Sequence, residues 1–208
     1  MMMKIICTLF ILLPAASFAQ SSSREVQKGF FSIGAAYGMA GSRLLNTDGG
    51  FADYKTKSYG LDIDILLWNA DIGDIRIFGQ HNMESGKNTK LPTDTISSAE
   101  SVAGLKVFAG KNLYLSGGWG RGQSKLKSPS IDVTMNLSYE MVRAALGLEF
   151  ALTDSIFVGL EAAYKSGPIR KSQNESLVQN SFIEGFGGSL RLIWSPPSVT
   201  NITVSNKK

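Results

Sequence analysis

Few residues in this sequence could perform nucleophilic or acid–base chemistry. The single histidine is His81 and the single cysteine is Cys7, which excludes sites built from several His or Cys ligands. A serine hydrolase needs a base beside its nucleophile, and Ser85 follows His81 by four residues. Glu84 or Glu100 would have to complete that site. We favour a structural histidine, and we predict no catalytic residue, no cofactor and no metal site.

Two carboxylates, Asp62 and Asp64, are spaced for one face of a strand, where a carboxylate pair could perform acid–base chemistry. They belong to a larger set of charges that alternate with apolar residues. The set is Asp62, Asp64, Arg76, Glu100, Lys106, Arg143, Glu149, Glu161, Lys165 and Arg191. It has five acids and five bases, and an unpaired buried charge is costly. The balance therefore predicts a network of ion pairs inside a narrow lumen.

The elements that position these charges repeat with a period of two. Alternation of apolar with small or polar residues occurs over 31–39, 59–67, 75–77, 103–108, 113–119, 142–150, 156–164 and 186–194. This period is typical of β-strands with two unlike faces. The third segment is the weakest, and the sixth changes parity near Glu140, which predicts a bulge there. We predict eight strands.

The connections between the segments are unequal in length. The short ones are 69–74, 109–112 and 153–155, and the long polar ones are 41–56, 84–95, 122–134 and 166–179. Short and long connections alternate, which places all short turns at one rim of an up-and-down barrel and all long loops at the other. The charged face suits the lumen and the apolar face suits lipid, the reverse of a soluble barrel. The predicted fold class is an all-β, eight-stranded antiparallel up-and-down transmembrane β-barrel.

Aromatic residues of the apolar face sort towards the two ends of the segments. Tyr37, Tyr59, Trp119 and Tyr164 fall near the long loops, and Phe31, Phe150 and Trp194 fall near the short turns. Two aromatic belts are typical of a barrel that crosses a membrane. The alternative is a soluble sandwich in which these rings form an ordinary core.

Composition excludes other classes of protein. The 208 residues are 43% hydrophobic and include eleven Phe, six Tyr and three Trp, too many apolar residues for a disordered chain. No stretch after Ala19 reaches the roughly 18 consecutive apolar residues of a transmembrane helix. No basic stripe is interleaved with aromatic residues, so we expect no nucleic-acid partner.

The chain begins with the pattern of a secretory signal peptide. Lys4 precedes an apolar run over 5–13, and Ser17 and Ala19 are the small residues that signal peptidase requires. We predict cleavage after Ala19, a periplasmic N-terminal segment over 20–27, the barrel over 28–194 and a flexible periplasmic tail over 195–208. The predicted location is the outer membrane of a Gram-negative bacterium.

The eighth segment and three others carry a resemblance to a known family. Gly187, Leu190, Leu192 and Trp194 are similar to the terminal signal read by the barrel-assembly machinery, although Gly185 replaces a usual polar residue and a tail follows. Together with 29–37, 59–64 and 113–122, this order of features resembles the small outer-membrane barrels of the OmpX/Ail type, in the OmpA-like group. The resemblance implies a monomer without an open pore, assisted by the assembly machinery and periplasmic chaperones.

The long connections carry more bases than acids. The bases are Arg43, Lys55, Lys57, Lys87, Lys90, Arg121, Lys125, Lys127, Arg170 and Lys171. Such a patch suits an outer leaflet of lipopolysaccharide or a host-surface ligand, although it would equally serve as a solvated rim. We predict a non-enzymatic barrel that acts through its loops in surface interaction, adhesion or envelope integrity. The alternatives are a porin-like channel for small solutes or hydrophobic compounds and an enzyme that modifies lipid A through His81.

Overall fold

The computed structural model describes residues 28–45, 51–70, 73–129, 132–172 and 181–197. The strands are β1 (Phe31–Leu45), β2 (Phe51–Ala70), β3 (Gly73–Asn88), β4 (Thr95–Ala109), β5 (Leu113–Ser128), β6 (Val133–Ala151), β7 (Ile156–Ser172) and β8 (Phe182–Trp194). The predicted signal peptide, the 20–27 segment and the tail beyond Pro197 lie outside the described residues. None of the described residues forms a helix suited to crossing a membrane.

The eight strands form one closed antiparallel ring in chain order. Each strand pairs with the next along the chain, and β8 pairs with β1. A path through cross-strand partners that starts at Phe31 returns to β1 at Gly41, ten residues further along. Such a stagger requires strands tilted by about 35–45° to the barrel axis. The predicted eight-stranded up-and-down barrel is confirmed.

The two faces of the strands differ as the period of two predicts. On the outer face, large apolar side chains such as Leu61, Leu115 and Leu160 are more than half exposed. On the inner face, Arg76, Lys106 and Arg191 are at most 2% exposed. Charge inside and apolar residues outside is stable only where lipid surrounds the barrel, because water would favour the opposite arrangement. The barrel is therefore transmembrane.

The predicted long loops are largely strand. The strands contain 13 to 20 residues, whereas about 9–11 suffice to cross a bilayer. The connection predicted over 41–56, for example, contains the end of β1 and the start of β2, and Arg43 pairs with Asp53 there. The content of Gly, Ser and Lys in these segments is typical of loops. Their inner positions still carry Leu44, Tyr54 and other apolar residues, which favour continued pairing of the strands.

The irregularity predicted near Glu140 is present, with a different cause. The β6–β7 register shifts between Ser138 and Tyr139, and the extra residue, Arg170, lies in β7. Strand β6 itself does not change parity, because Tyr139 and Met141 are both buried inside the barrel while Val142 is exposed. Apolar residues on both faces of β6 gave the impression of a parity change.

Two glycines make room for tyrosine rings inside the barrel. Gly147 lies directly opposite Tyr114, and Gly122 lies directly opposite Tyr139. A Cβ at either glycine would lie 2.3 Å from a ring carbon of its tyrosine. The absent side chains therefore allow both rings to lie across the neighbouring strand, where their hydroxyl groups reach the lumen charges.

We predict that Gly147→Ala destabilises the barrel by about 1–3 kcal/mol, because the new methyl group must displace the Tyr114 ring. The measurement is the free energy of unfolding in urea with the protein in detergent micelles. The matched control is Gly117→Ala, on the outer face of β5, where a Cβ meets nothing within 4 Å. Equal losses in the two variants would show that Gly147 is not needed for clearance.

Candidate functional site

All ten predicted lumen charges lie inside the barrel and are at least 91% buried. Arg191 is the centre of the larger group, on the side of the short turns. Its guanidinium group pairs with Asp62 and lies 3.3 Å from Glu161 Oε2. Arg191 also donates a 2.6 Å hydrogen bond to the Tyr114 hydroxyl, which donates in turn to Glu161 at 2.7 Å. Arg143 lies 2.5 Å from the other oxygen of Glu161.

The same group extends to the mouth of the barrel at the short-turn end. Lys106 Nζ lies 2.7 Å from Asp64 and 3.8 Å from Glu149. Glu149 also pairs with Lys28, which the sequence analysis assigned to the barrel without giving it a charged partner. Lys28 precedes β1, so no strand parity predicts that it points into the lumen.

Arg76 is completely buried beside this mouth. Its Nη2 lies 3.0 Å from Asp74, and both terminal nitrogens lie 3.2 Å from the carbonyl oxygen of Gly29. A backbone carbonyl thus supplies part of what a second carboxylate would otherwise provide.

A second, smaller group lies on the side of the long strand ends. Lys165 Nζ is 2.8 Å from Glu84 and 2.5 Å from Glu100, and the Tyr139 hydroxyl donates to Glu100 at 2.6 Å. Glu84 was assigned to a loop in the sequence analysis, as a possible member of a catalytic site. It is 8% exposed, in step with Gln80 and Asn82 of β3, and that parity could have placed it in the lumen.

Side chains fill the lumen. Between the two groups of charges, the described residues leave a cavity of only about 60 Å³, which has room for a few water molecules. It lies beside Lys165 and Arg143. Buried polar atoms without a protein hydrogen-bond partner remain at Asp62, Arg76, Glu149 and Arg191. No group of described residues is arranged to hold a metal ion. Paired charges and tyrosine rings therefore occupy most of the lumen that the structure describes.

The seven predicted girdle aromatics all face outward. Tyr37, Tyr59, Trp119, Tyr164 and Trp194 are 43–57% exposed, and Phe31 and Phe150 are partly exposed. Phe31 packs edge-on against Trp194, with centroids 5.7 Å apart, and Tyr37 lies 5.2 Å from Tyr59. The rings of Trp68, Phe182 and Phe186 also face outward, in addition to the seven predicted for the girdle.

Beyond the girdle at the long strand ends, the polarity of the two faces is exchanged. We call residues 41–45, 51–57, 85–88, 95–99, 121–128, 133–140, 166–172 and 182–185 the protruding part. Its inner face carries Tyr54, Ile96, Leu137 and Ile183, each at most 6% exposed. Its outer face carries Lys55, Lys57, Lys87, Lys125 and Lys127, all exposed. This is the arrangement of a soluble barrel, so the protruding part lies in water.

The predicted basic loops are therefore basic strands. Nine of the ten bases lie in β1, β2, β3, β5 or β7, and Lys90 lies between β3 and β4. Arg43, Arg121 and Arg170 have acidic partners on the surface. Arg43 lies 2.8 Å from Asp53, and this hydrogen bond raises the pKa of Arg43. Glu140 lies 3.6 Å from Arg121 and 3.2 Å from Arg170.

His81 faces outward and has a partner that the sequence analysis missed. Its Nδ1 lies 2.9 Å from Ser101 Oγ, directly across the β3–β4 ladder. Arg121 is the next residue along the same row, opposite Ser101 on β5. Ser85, the serine considered from the sequence, is not joined to His81. Because Ser101 is 20 residues away, only the register of β3 and β4 brings the pair together.

The ends of the barrel wall are joined at the short-turn mouth. The predicted assembly signal lies in β8, with Leu190, Leu192 and Trp194 outward and Gly187 packed beside Ala40. The next residue, Ser195, accepts a 2.9 Å hydrogen bond from the Gly29 amide and donates one of 2.8 Å to the Phe31 carbonyl. Lys28 pairs with Pro197. Ser195 and Pro197, the described part of the predicted tail, therefore contact the start of the barrel, and the rest of that tail lies outside the described residues.

No protein-family model and no curated protein matches this chain. Among solved structures, it is similar to the Neisserial surface protein A (18% identity; 79% of this chain and 97% of that chain; TM-score 0.48). It is similar to Ail, the attachment invasion locus protein of Yersinia pestis (15% identity; 80% of this chain and 99% of that chain; TM-score 0.49). It is also similar to the outer membrane protein OprG from Pseudomonas aeruginosa (12% identity; 81% of this chain and 96% of that chain; TM-score 0.46). At these identities the likeness concerns the barrel fold alone.

We predict that Arg191→Met lowers the free energy of unfolding by about 3–5 kcal/mol, because Asp62 remains buried without its cation and Glu161 keeps only Arg143. Urea titration in detergent micelles measures the loss. Adding Asp62→Asn to Arg191→Met should recover part of it, since one uncompensated charge is removed. Arg121→Gln, which breaks an exposed pair, should leave stability nearly unchanged. A loss of the same small size for Arg191→Met would contradict a structural role for the network.

Proposed function

We propose that this protein is a non-enzymatic, monomeric outer-membrane barrel that is closed to solutes and acts through its protruding part. Its role is surface interaction, with adhesion as one form, or maintenance of the envelope. The observation that carries the proposal is the exchange of polarity along the strands, which gives the molecule a lipid-embedded half and a water-exposed half.

The strand ends support this orientation. The girdle at the short-turn end lies directly beside the turns, whereas the opposite end extends several residues beyond its girdle. Short turns on the periplasmic side and long extensions outside are typical of outer-membrane barrels. Both described ends of the chain, at Lys28 and Pro197, then lie on the periplasmic side, where chaperones and the barrel-assembly machinery would meet the signal in β8.

A channel is disfavoured by the lumen. The ion pairs of Arg191 and Lys165 span the barrel on both sides of the small cavity. Moving a solute past them would require breaking buried pairs, which costs several kcal/mol for each charge left uncompensated.

We therefore expect the purified protein to give no single-channel conductance in planar lipid bilayers. Folding is verified independently, because an intact barrel stays compact and migrates anomalously on electrophoresis unless it is boiled. Discrete conductance steps from heat-modifiable protein would refute the closed lumen and favour the channel alternative.

One observation favours a second candidate function, an esterase acting on an outer-leaflet lipid. The His81–Ser101 pair lies on the lipid-facing wall. On β3, the next residue that faces lipid after His81 is Met83, and Met83 lies opposite the girdle residue Tyr59. In this function Ser101 Oγ would attack an acyl ester while His81 takes its proton and the lipid alcohol leaves. Water would then release the fatty acid and regenerate the serine.

Mass spectrometry of lipid A from cells that express the protein decides between the two functions. The main proposal predicts no change in mass. The esterase predicts loss of one acyl chain, abolished by His81→Ala and by Ser101→Ala and retained in Ser85→Ala. An acyl loss with this dependence would replace the non-enzymatic proposal.

A further inference from the structure

Five of the basic residues form one continuous array on the protruding part. Two rows of cross-strand partners run over β2, β3, β4 and β5. One row is Lys57, Ser85, Ser97 and Lys125, and the other is Lys55, Lys87, Thr95 and Lys127. We call these eight residues the lysine cradle. Side chains of neighbouring rows and strands lie within reach of one another, so the cradle is a single surface.

The lysine cradle contains no acid, unlike the rest of the rim. In the part of the chain that the structure describes, none of its five lysines has an ion pair, whereas Arg43, Arg121 and Arg170 each have one. Two carboxylates close to the cradle along the chain have other partners: Asp53 pairs with Arg43, and Asp94 accepts a hydrogen bond from the Ser128 hydroxyl.

The arrangement of the lysines is unfavourable in isolation. Lys55 and Lys87 lie directly opposite each other on β2 and β3, and like charges in this position destabilise a strand pair. A bound anion would remove that repulsion. The hydroxyl groups of Ser85 and Ser97, exposed between Lys57 and Lys125, can donate hydrogen bonds to the same anion.

The shape of the surface suits a head group. The cradle lines an open groove of about 570 Å³, within the range of small-ligand sites. Lysines with interspersed hydroxyl groups favour phosphate, whose oxygens accept several charge-assisted hydrogen bonds at once. The site thus has room for more than one phosphate group.

The position of the cradle identifies the source of the phosphate. On the outer face of β2, Lys57 directly follows the girdle residue Tyr59 in the direction of the protruding part. The groove therefore begins where the hydrocarbon of the outer leaflet ends and its head groups start. Ligands in solution would be equally accessible to any face of the rim, whereas a lipid head group is delivered to this height.

We propose that the lysine cradle binds the phosphate groups of a phosphorylated glycolipid in the outer leaflet. The inference rests on the proposed outer-membrane placement. It assigns the contact with lipid phosphate groups to the β2–β5 wall of the protruding part, and it leaves the opposite wall and the top of that part for other partners.

The test compares two five-fold variants with equal change of charge. The cradle variant carries Lys→Gln at 55, 57, 87, 125 and 127, and the control variant carries Gln at Arg43, Lys90, Arg121, Arg170 and Lys171. Each protein is folded in maltoside micelles, checked by cold and boiled electrophoresis, and titrated with bisphosphorylated lipid A while native mass spectrometry counts the bound lipid. We expect the cradle variant to bind roughly tenfold or more weakly than the unsubstituted protein, and the control to bind within about threefold of it.

Further probes identify the chemistry and the source. Dephosphorylated lipid A should bind as weakly to the unsubstituted protein as bisphosphorylated lipid A does to the cradle variant. Inorganic pyrophosphate and a soluble sulfated polysaccharide should compete poorly. Equal weakening in the two variants, equal binding of dephosphorylated lipid, or tighter binding of the soluble polysaccharide would each overturn the proposal. Because both variants must first be heat-modifiable barrels, none of these failures bears on the closed membrane barrel itself.

Discussion

A charge enclosed by eight strands has almost no water around it, so its stability depends on a partner, which for most of these charges comes from another strand. Arg191 of β8 illustrates the constraint, because it pairs with Asp62 of β2 and Glu161 of β7 and reaches Tyr114 of β5. The contacts with Asp62 and Tyr114 cross the lumen and join strands that are not neighbours in the ring, whereas Glu161 lies on the adjacent strand. The small residues of the inner face follow from the same constraint, since long charged side chains and tyrosine rings need the space that a glycine leaves. The filling of the lumen by side chains is thus a result of pairing the charges.

The exchange of polarity occurs without any change in the alternation of the strands. On β2, Leu61 and Tyr59 face lipid, while Lys57 and Lys55 face outward beyond them. On the inner face of the same strand, the buried residues change from the charged Asp62 to the aromatic Tyr54. Strand β2 therefore contains two amphipathic patterns of opposite sense that share one ladder. The change from apolar to charged residues on the outer face marks the level of the bilayer surface more directly than the aromatic rings do. A charged side chain is not stable on the lipid-facing wall, whereas an aromatic ring is stable over a wider range of depth.

Much of the barrel could be predicted from the sequence because a period of two is a local signal. The eight strands, the inward charges and the outward girdle all follow from parity within single segments. Strand length was underestimated, since polar composition concealed pairing that β1 and β2 continue as far as Leu45 and Phe51. Side-chain partners on different strands could not be predicted from the sequence, for another reason. The pairs Ser101–His81 and Lys28–Glu149 depend on register and on the path of the chain at the mouth, neither of which a single segment encodes.

The seam between β1 and β8 has a consequence for how the cylinder is made. The strand synthesised first hydrogen-bonds to the one synthesised last, and Ser195 fastens Gly29 and Phe31 just below that seam. Until β8 arrives, β1 exposes an unsatisfied edge that could pair with another chain. The unfinished barrel is therefore at risk of aggregation until β8 pairs with β1, and both the closure of the ring and the contacts of Ser195 depend on the last strand of the wall.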